Sequence, residues 1–127
     1  MKQFLKQTGA RFYPHGKTTM APQLFTQQLE DGAQGITPAT VQQVAVARHY
    51  GVSKILLANQ IIDRPAAEFL VRQLLQVDSL EILCLVDPIE TVRLLADTAK
   101  RLQLPRPIEL LLEVRITGGR TGVRELA

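Results

Sequence analysis

Two short stretches of this sequence carry residue types that could do chemistry: Gly16-Lys17-Thr18 and Gly118-Gly119-Arg120-Thr121-Gly122. A lysine at a strand end inside a cleft loses hydration, its pKa falls, and its amine becomes nucleophilic toward an aldehyde. The competing reading of Lys17 is a solvated loop lysine. Gly-Lys-Thr also looks like the end of a phosphate-binding P-loop, but that loop needs a glycine five residues before its Gly-Lys pair. Arg11 stands at that position, and Pro14 has no N–H to offer a phosphate, which argues against a nucleotide loop. In the second stretch the glycines let backbone approach a ligand closely, and Arg120 offers a fixed cationic fork to a phenolate, carboxylate or phosphate. A flexible strand-to-helix turn with a solvated arginine is the alternative there.

Other polar residues read as structural. His49 falls in the last turn before Gly51, where an imidazolium favours the helix dipole. Cys84 sits among aliphatic residues in mid-strand, as an inert core thiol would. Asp87 and Glu90 have the spacing of helix-capping acids. Glu113 lies inside an apolar run, so its carboxylate must face a polar cavity or a partner. No two of His15, His49 and Cys84 have metal-ligand spacing, so no metal site within the chain is expected.

The elements that must position these residues recur in a regular order. Short apolar runs at residues 11–13, 35–39, 54–59, 81–87 and 108–116 are each followed by helical patterning or a glycine turn. Ala21 to Glu30 reads as a helix with Leu24, Phe25 and Leu29 on one face and Gly32 past its end. Thr40 and Gln43 have capping-box spacing before the next helix, and Gly51 follows it. Asp63 reads as an N-cap with Pro65 early in its helix and Phe69, Leu70 and Leu74 as the buried face. After Pro88, Ile89, Val92, Leu95, Ala99 and Leu102 recur at helical intervals. The run at 35–39 is the weakest strand, because Pro38 interrupts it. Gly122 to Ala127 begins a further helical pattern.

Continuous apolar strands alternating with helices predict an α/β fold with a parallel sheet covered by helices. Strand starts fall roughly twenty to thirty residues apart, one strand-plus-helix unit each, giving about five units. A doubly wound sheet would be complete at this length, whereas a (β/α)8 barrel needs about 250 residues and would be only half built. In both, ligands bind at the carboxyl ends of the strands, so Pro14 to Thr19, Thr37 to Thr40, Asn59-Gln60, Asp87 and Gly118 to Gly122 are the positions that matter.

The chain has 127 residues, 46% apolar and 21% charged, with a net charge of +3. That composition suits one globular domain and excludes wholesale disorder. No uncharged apolar run approaches the length of a membrane span, and Met1 to Lys6 holds no signal-peptide core, so a cytoplasmic protein is expected. One cysteine excludes a disulfide framework, and interleaved charges give no basic block for nucleic acid.

Pro14-His15-Gly16-Lys17-Thr18, Gln28-Leu29-Glu30-Asp31-Gly32-Ala33, Gly35-Ile36-Thr37, Ile55-Leu56-Leu57-Ala58-Asn59, and Leu112-Glu113-Val114 with Gly118-Gly119-Arg120-Thr121-Gly122-Val123 stand in one order along the chain. Together they resemble the D-threonine aldolase and D-serine dehydratase family, whose alanine-racemase-type barrel binds pyridoxal 5′-phosphate. The resemblance implies that residues 1–127 are a single domain, the N-terminal fragment of a TIM-type (β/α)8 barrel of about five units. It implies that the chain starts inside the helix preceding the first strand. Lys17 matches the lysine that holds the cofactor covalently, and Arg120 the arginine facing its phenolic oxygen. His15 and Thr18 would flank the lysine, and Asn59 joins His15, Lys17 and Arg120 as a cofactor-binding position.

Many relatives read Lys-Thr-His-Lys where this chain has Lys17-Thr18-Thr19-Met20, which leans toward the D-serine and amino-acid deaminase branch. The implied reaction is α,β-elimination from a D-amino acid to a keto acid and ammonia. D-threonine aldolase-like or racemase activity is the alternative within the family, and a truncated non-catalytic chain the alternative outside it. The relatives' zinc would be held by His and Cys outside these residues. A homodimer is implied for the full-length protein, and self-association for this chain, whose edge strands would be unpaired.

Overall fold

The computed structural model describes residues 1–114 and 122–123. Their helices are α1 (Lys2–Thr8), α2 (Pro22–Glu30), α3 (Val41–His49), α4 (Arg64–Gln76) and α5 (Ile89–Arg101). The strands are β1 (Lys54–Gln60), β2 (Glu81–Val86) and β3 (Glu109–Leu112), in the sheet order β1-β2-β3. The chain divides into two compact units, residues 1–58 and 59–127, with the boundary inside β1.

In the first unit the two earliest apolar runs are extended segments in a parallel ladder. Residues 12–16 pair with residues 34–38 through Gln34 N–H to Phe12 C=O (2.9 Å), Thr37 N–H to Pro14 C=O (2.8 Å) and Gly16 N–H to Thr37 C=O (3.1 Å). Residues 34–38 pair in turn with β1 through Ile36 N–H to Lys54 C=O (3.0 Å), Leu56 N–H to Ile36 C=O (3.1 Å) and Ala58 N–H to Pro38 C=O (2.9 Å). Pro38 is tolerated because the ladder uses only its carbonyl, so the missing N–H costs nothing there. Gly35 is required at this crossing: a Cβ would run into the Lys54 carbonyl and lie 2.5 Å from the Tyr13 ring.

Local chemistry sets the helix limits. Pro22 opens α2, and Gly32, at φ +102°, follows it in a conformation that L side chains rarely adopt. Thr40 Oγ1 accepts from Gln43 N–H at 3.2 Å to cap α3, and Gly51, at φ +83°, lies just beyond it. Phe25, Ile36, Val44, Ala47, Val52, Ile55 and Leu57 form this unit's buried core.

In the second unit Asp63 Oδ1 accepts from Ala66 N–H at 2.8 Å, capping α4 as its position predicted. Leu70, Val71 and Leu74 are buried on α4, while Phe69 is half-buried. β2 pairs in parallel with β3, Cys84 opposite Leu110 and Val86 opposite Leu112. The α4–β2 turn is held from a distance. Arg106 donates through Nη1 to the carbonyls of Asp78 and Leu80 (2.9 Å each), and through Nη2 to those of Leu74 (2.8 Å) and Val77 (2.9 Å).

Two expectations for α5 are corrected. Its N-cap is Pro88 and no side chain caps it, because the carboxylate of Asp87 is engaged elsewhere. Its buried residues are Thr91, Leu95 and Thr98, and Ile89 is exposed. Thr98 is accommodated because its hydroxyl donates to Leu94 C=O at 2.7 Å within the helix. Of the fifth run, expected over residues 108–116, Glu109–Leu112 form β3, all of it exposed, and residues 115–116 lie outside the described residues. The helical pattern of Gly122 to Ala127 lies largely outside the described residues.

Candidate functional site

Lys17 stands one residue beyond the last ladder bond of the first extended segment. Gly16, at the end of the segment, packs against two core side chains. A Cβ on Gly16 would lie 2.6 Å from Ile36 Cγ2 and 2.6 Å from Phe25 Cε1. Beyond Lys17 the chain turns, with Met20 N–H donating to Gly16 C=O at 2.9 Å, and enters α2 at Pro22. Lys17 is half-buried, whereas His15, Thr18 and Thr19 are exposed. Among the described residues no carboxylate or carbonyl engages the Lys17 amine.

The backbone around the lysine is tied from two directions. Thr37, 2% exposed, donates its hydroxyl to Tyr13 C=O at 2.8 Å and its N–H to Pro14 C=O, and accepts Gly16 N–H. Gln43, on the first turn of α3, donates its amide nitrogen to Lys17 C=O at 3.0 Å and accepts Ala39 N–H on its amide oxygen at 2.8 Å. Capping-box spacing singled out Gln43, but its bond to Lys17 spans 26 residues, beyond the reach of any local pattern.

In the second unit, Asn59 is exposed near the end of β1, with its Oδ1 accepting from Gln60 N–H at 3.0 Å. Both amide atoms of Gln60 are buried without a hydrogen-bond partner among the described residues. Asp87 follows β2, and its Oδ2 accepts from Gly122 N–H at 3.1 Å, so the expected capping acid instead holds Gly122. Arg120 lies outside the described residues. Glu113 N–H donates to Val86 C=O, and Glu113 C=O accepts from Val123 N–H, extending the parallel pairing past β3.

Two sequence readings of lesser residues also have their outcome. Cys84 is buried in β2, and burial alone pushes its thiol up to about 12 from 9.0, as expected of an inert core cysteine. His49 ends α3 exposed, its ring edge-on to Tyr50 at 5.0 Å. Among the described residues no three His, Cys, Asp or Glu side chains gather as a metal set, and no helix is long and apolar enough to cross a membrane.

Parallel pairing between segments joined through helices defines an α/β class. Solved structures narrow that class. The fold matches D-threonine aldolase from Filomicrobium marinum with a TM-score of 0.85 and 27% identity, over 98% of this chain and 32% of that one. It also matches two variants of a D-threo-3-hydroxyaspartate dehydratase at TM-scores of 0.75 and 0.74 and 24% identity, one of them in a metal-free form. Each dehydratase match covers 96% of this chain, and 30% and 31% of those chains. This chain thus spans about a third of their length. No family model matches the sequence, and no curated protein does. The resemblance carried by the ordered motifs is therefore shown in the fold, with D-threonine aldolase on the matching side; the D-serine branch is not singled out.

Proposed function

We propose that residues 1–127 form one N-terminal portion of a (β/α)8-type barrel in a pyridoxal-phosphate-dependent enzyme acting on D-amino acids. The observation that carries this reading is the place of Lys17. It follows the first parallel segment of a chain whose fold matches a D-threonine aldolase over 98% of its length.

The residues fit the cofactor. Lys17 is half-buried, its amine is unengaged among the described residues, and the glycine before it is packed against Ile36 and Phe25, which fixes the strand end. Lys17 would hold the aldehyde carbon, with His15 and Thr18 flanking it, Asn59 contributing from the end of β1, and Arg120 facing the phenolic oxygen. When bound, pyridoxal phosphate supplies an electron sink that acidifies the substrate Cα–H.

The protein's own part is proton handling and orientation. With the cofactor bound, the Lys17 amine would be the group placed to take the α-proton from substrate. On the resemblance, Arg120 would offer its cation to the phenolic oxygen and favour the ionised form. Elimination of a β-hydroxyl from a D-serine-like substrate, giving a keto acid and ammonia, is the reaction this reading assigns. Retro-aldol cleavage of a D-threonine-like substrate is the second reading, favoured by the higher fold similarity to the aldolase. A cytoplasmic location and association with a second copy belong to the same proposal, the latter supported by exposed Leu110, Leu111 and Leu112.

Reductive trapping tests the central assignment. The chain is treated with pyridoxal phosphate and borohydride, and the labelled peptides are mapped. The label is expected on Lys17 and is lost in Lys17→Ala. Label on Lys54 or Lys100, or spread evenly over the five lysines, overturns it. In the intact protein, pyruvate and ammonia from D-serine, against glycine and acetaldehyde from D-threonine, separate the two reactions.

A further inference from the structure

We propose that Gln43 is a positioning residue for Lys17, holding the lysine's backbone at the strand end so that its amine meets the ligand aldehyde; this rests on the assignment of Lys17 above. The bonding leaves Gln43 one orientation. Ala39 N–H can only donate and Lys17 C=O can only accept, so the amide oxygen must face Ala39 and the nitrogen Lys17. The two contacts, at 2.8 Å and 3.0 Å, tie the chain after the second extended segment to the chain after the first. The Gln43 backbone is itself fixed, because its N–H donates to the capping hydroxyl of Thr40. The brace therefore stands on a capped helix.

Lys17 is the residue where such a brace matters. Its preceding neighbour is anchored through Gly16 N–H to Thr37 C=O, a bond belonging to the ladder. On its following side Lys17 C=O is held by a side chain from α3. Four rotatable side-chain bonds separate the Lys17 amine from its Cα, so freedom at the Cα is amplified at the nitrogen. Fixing the Cα raises the fraction of conformers within bonding distance of a bound aldehyde. A primary amide gives and accepts at once in this place. Gln43→Met matches the length and removes both functions. Gln43→Glu keeps the acceptor for Ala39 N–H and, when ionised, has no donor for Lys17.

The probe is pyridoxal phosphate with borohydride on the 127-residue chain, reading the ratio of Lys17 label to that on Lys54 and Lys100 in the same sample. Gln43→Met and Gln43→Glu are each expected to lower that ratio about ten- to hundredfold. Asp63→Ala, which removes the cap of another helix, is expected to lower the thermal midpoint and leave the ratio unchanged. Wild-type ratios in both Gln43 variants overturn the role of Gln43, as does an equal fall in Asp63→Ala. If Gln43→Met does not fold, Gln43→Glu decides, since it retains the bond from Ala39. A wild-type chain without preference for Lys17 overturns the lysine assignment itself, and this inference with it.

Discussion

Replacing Gly16 with alanine tests whether core packing sets the position of Lys17. The new methyl would sit 2.6 Å from both Ile36 Cγ2 and Phe25 Cε1. Carbon atoms rest about 3.5–4.0 Å apart, so each contact is short by roughly 1 Å. Neither neighbour can swing into solvent: Phe25 is 2% exposed and Ile36 fully buried. Ile36 is also fixed by backbone bonds to β1 on both its N–H and its C=O. The strand end must therefore yield, carrying Lys17 with it. Overpacking of this kind costs about 1–3 kcal/mol. A displacement near 1 Å at a reacting group lowers its rate up to about a hundredfold. Urea unfolding followed by circular dichroism should show a lower midpoint with an unchanged slope, and trapping at Lys17 should slow by more than about tenfold. Adding Phe25→Leu removes one of the two clashes, so the double variant should recover about 1 kcal/mol relative to the sum of the singles. If Gly16→Ala stays within about 0.5 kcal/mol of the parent and traps at the parent rate, the link between packing and the lysine is refuted.

Further outcomes follow from other residues. Arg106→Ala leaves four carbonyls without their guanidinium, three of those bonds being partly buried, and should cost about 2–4 kcal/mol in urea titrations. Arg106→Lys should recover less than half, because one ammonium cannot reproduce the planar fork; full recovery would contradict the geometry. Cys84 stays a neutral thiol in the folded chain until about pH 12, against 9.0 for the ordinary thiol. Its contribution to stability is thus intact below pH 9 and falls by about 1.4 kcal/mol per unit as pH rises from 9 toward 12. Urea midpoints measured across that range should flatten in Cys84→Ala; an unchanged slope would mean the thiol does not titrate with unfolding.

What was legible in the sequence was whatever depends on a few neighbouring residues. Thr40 and Asp63 announce their helices because a capping hydroxyl or carboxylate needs only an N–H two or three positions away. The extended segments at 12–16 and 34–38 announce themselves through apolar runs at 11–13 and 35–39 before any partner is known, and Pro38 misleads only until its carbonyl is seen to be the atom in use. Asp87 defeats the same reasoning. Its spacing to Glu90 is that of a cap, yet Gly122 N–H, 35 residues away, takes its carboxylate. Ile89 keeps helical periodicity but is exposed, since periodicity identifies a face and not what lies against it. The place of Lys17 at a strand end was legible from the apolar run before it. The parts played by Thr37 and Gln43 were not, because both depend on which strand ends fold side by side.

The reach of Arg106 has a consequence for the order in which the second unit assembles. Its four acceptors lie 26 to 32 positions earlier in the chain, with β2 and α5 between. Closing a span of that length carries an entropic cost that only later contacts repay. On that ground the carbonyls of Leu74, Val77, Asp78 and Leu80 are expected to stay bonded to water early in folding, with the guanidinium arriving once α5 has formed and turned the chain back. A bond absent from the transition state leaves the folding rate nearly untouched and slows unfolding instead. Arg106 thus acts as a late latch, setting how long the native turn persists more than how fast it is reached.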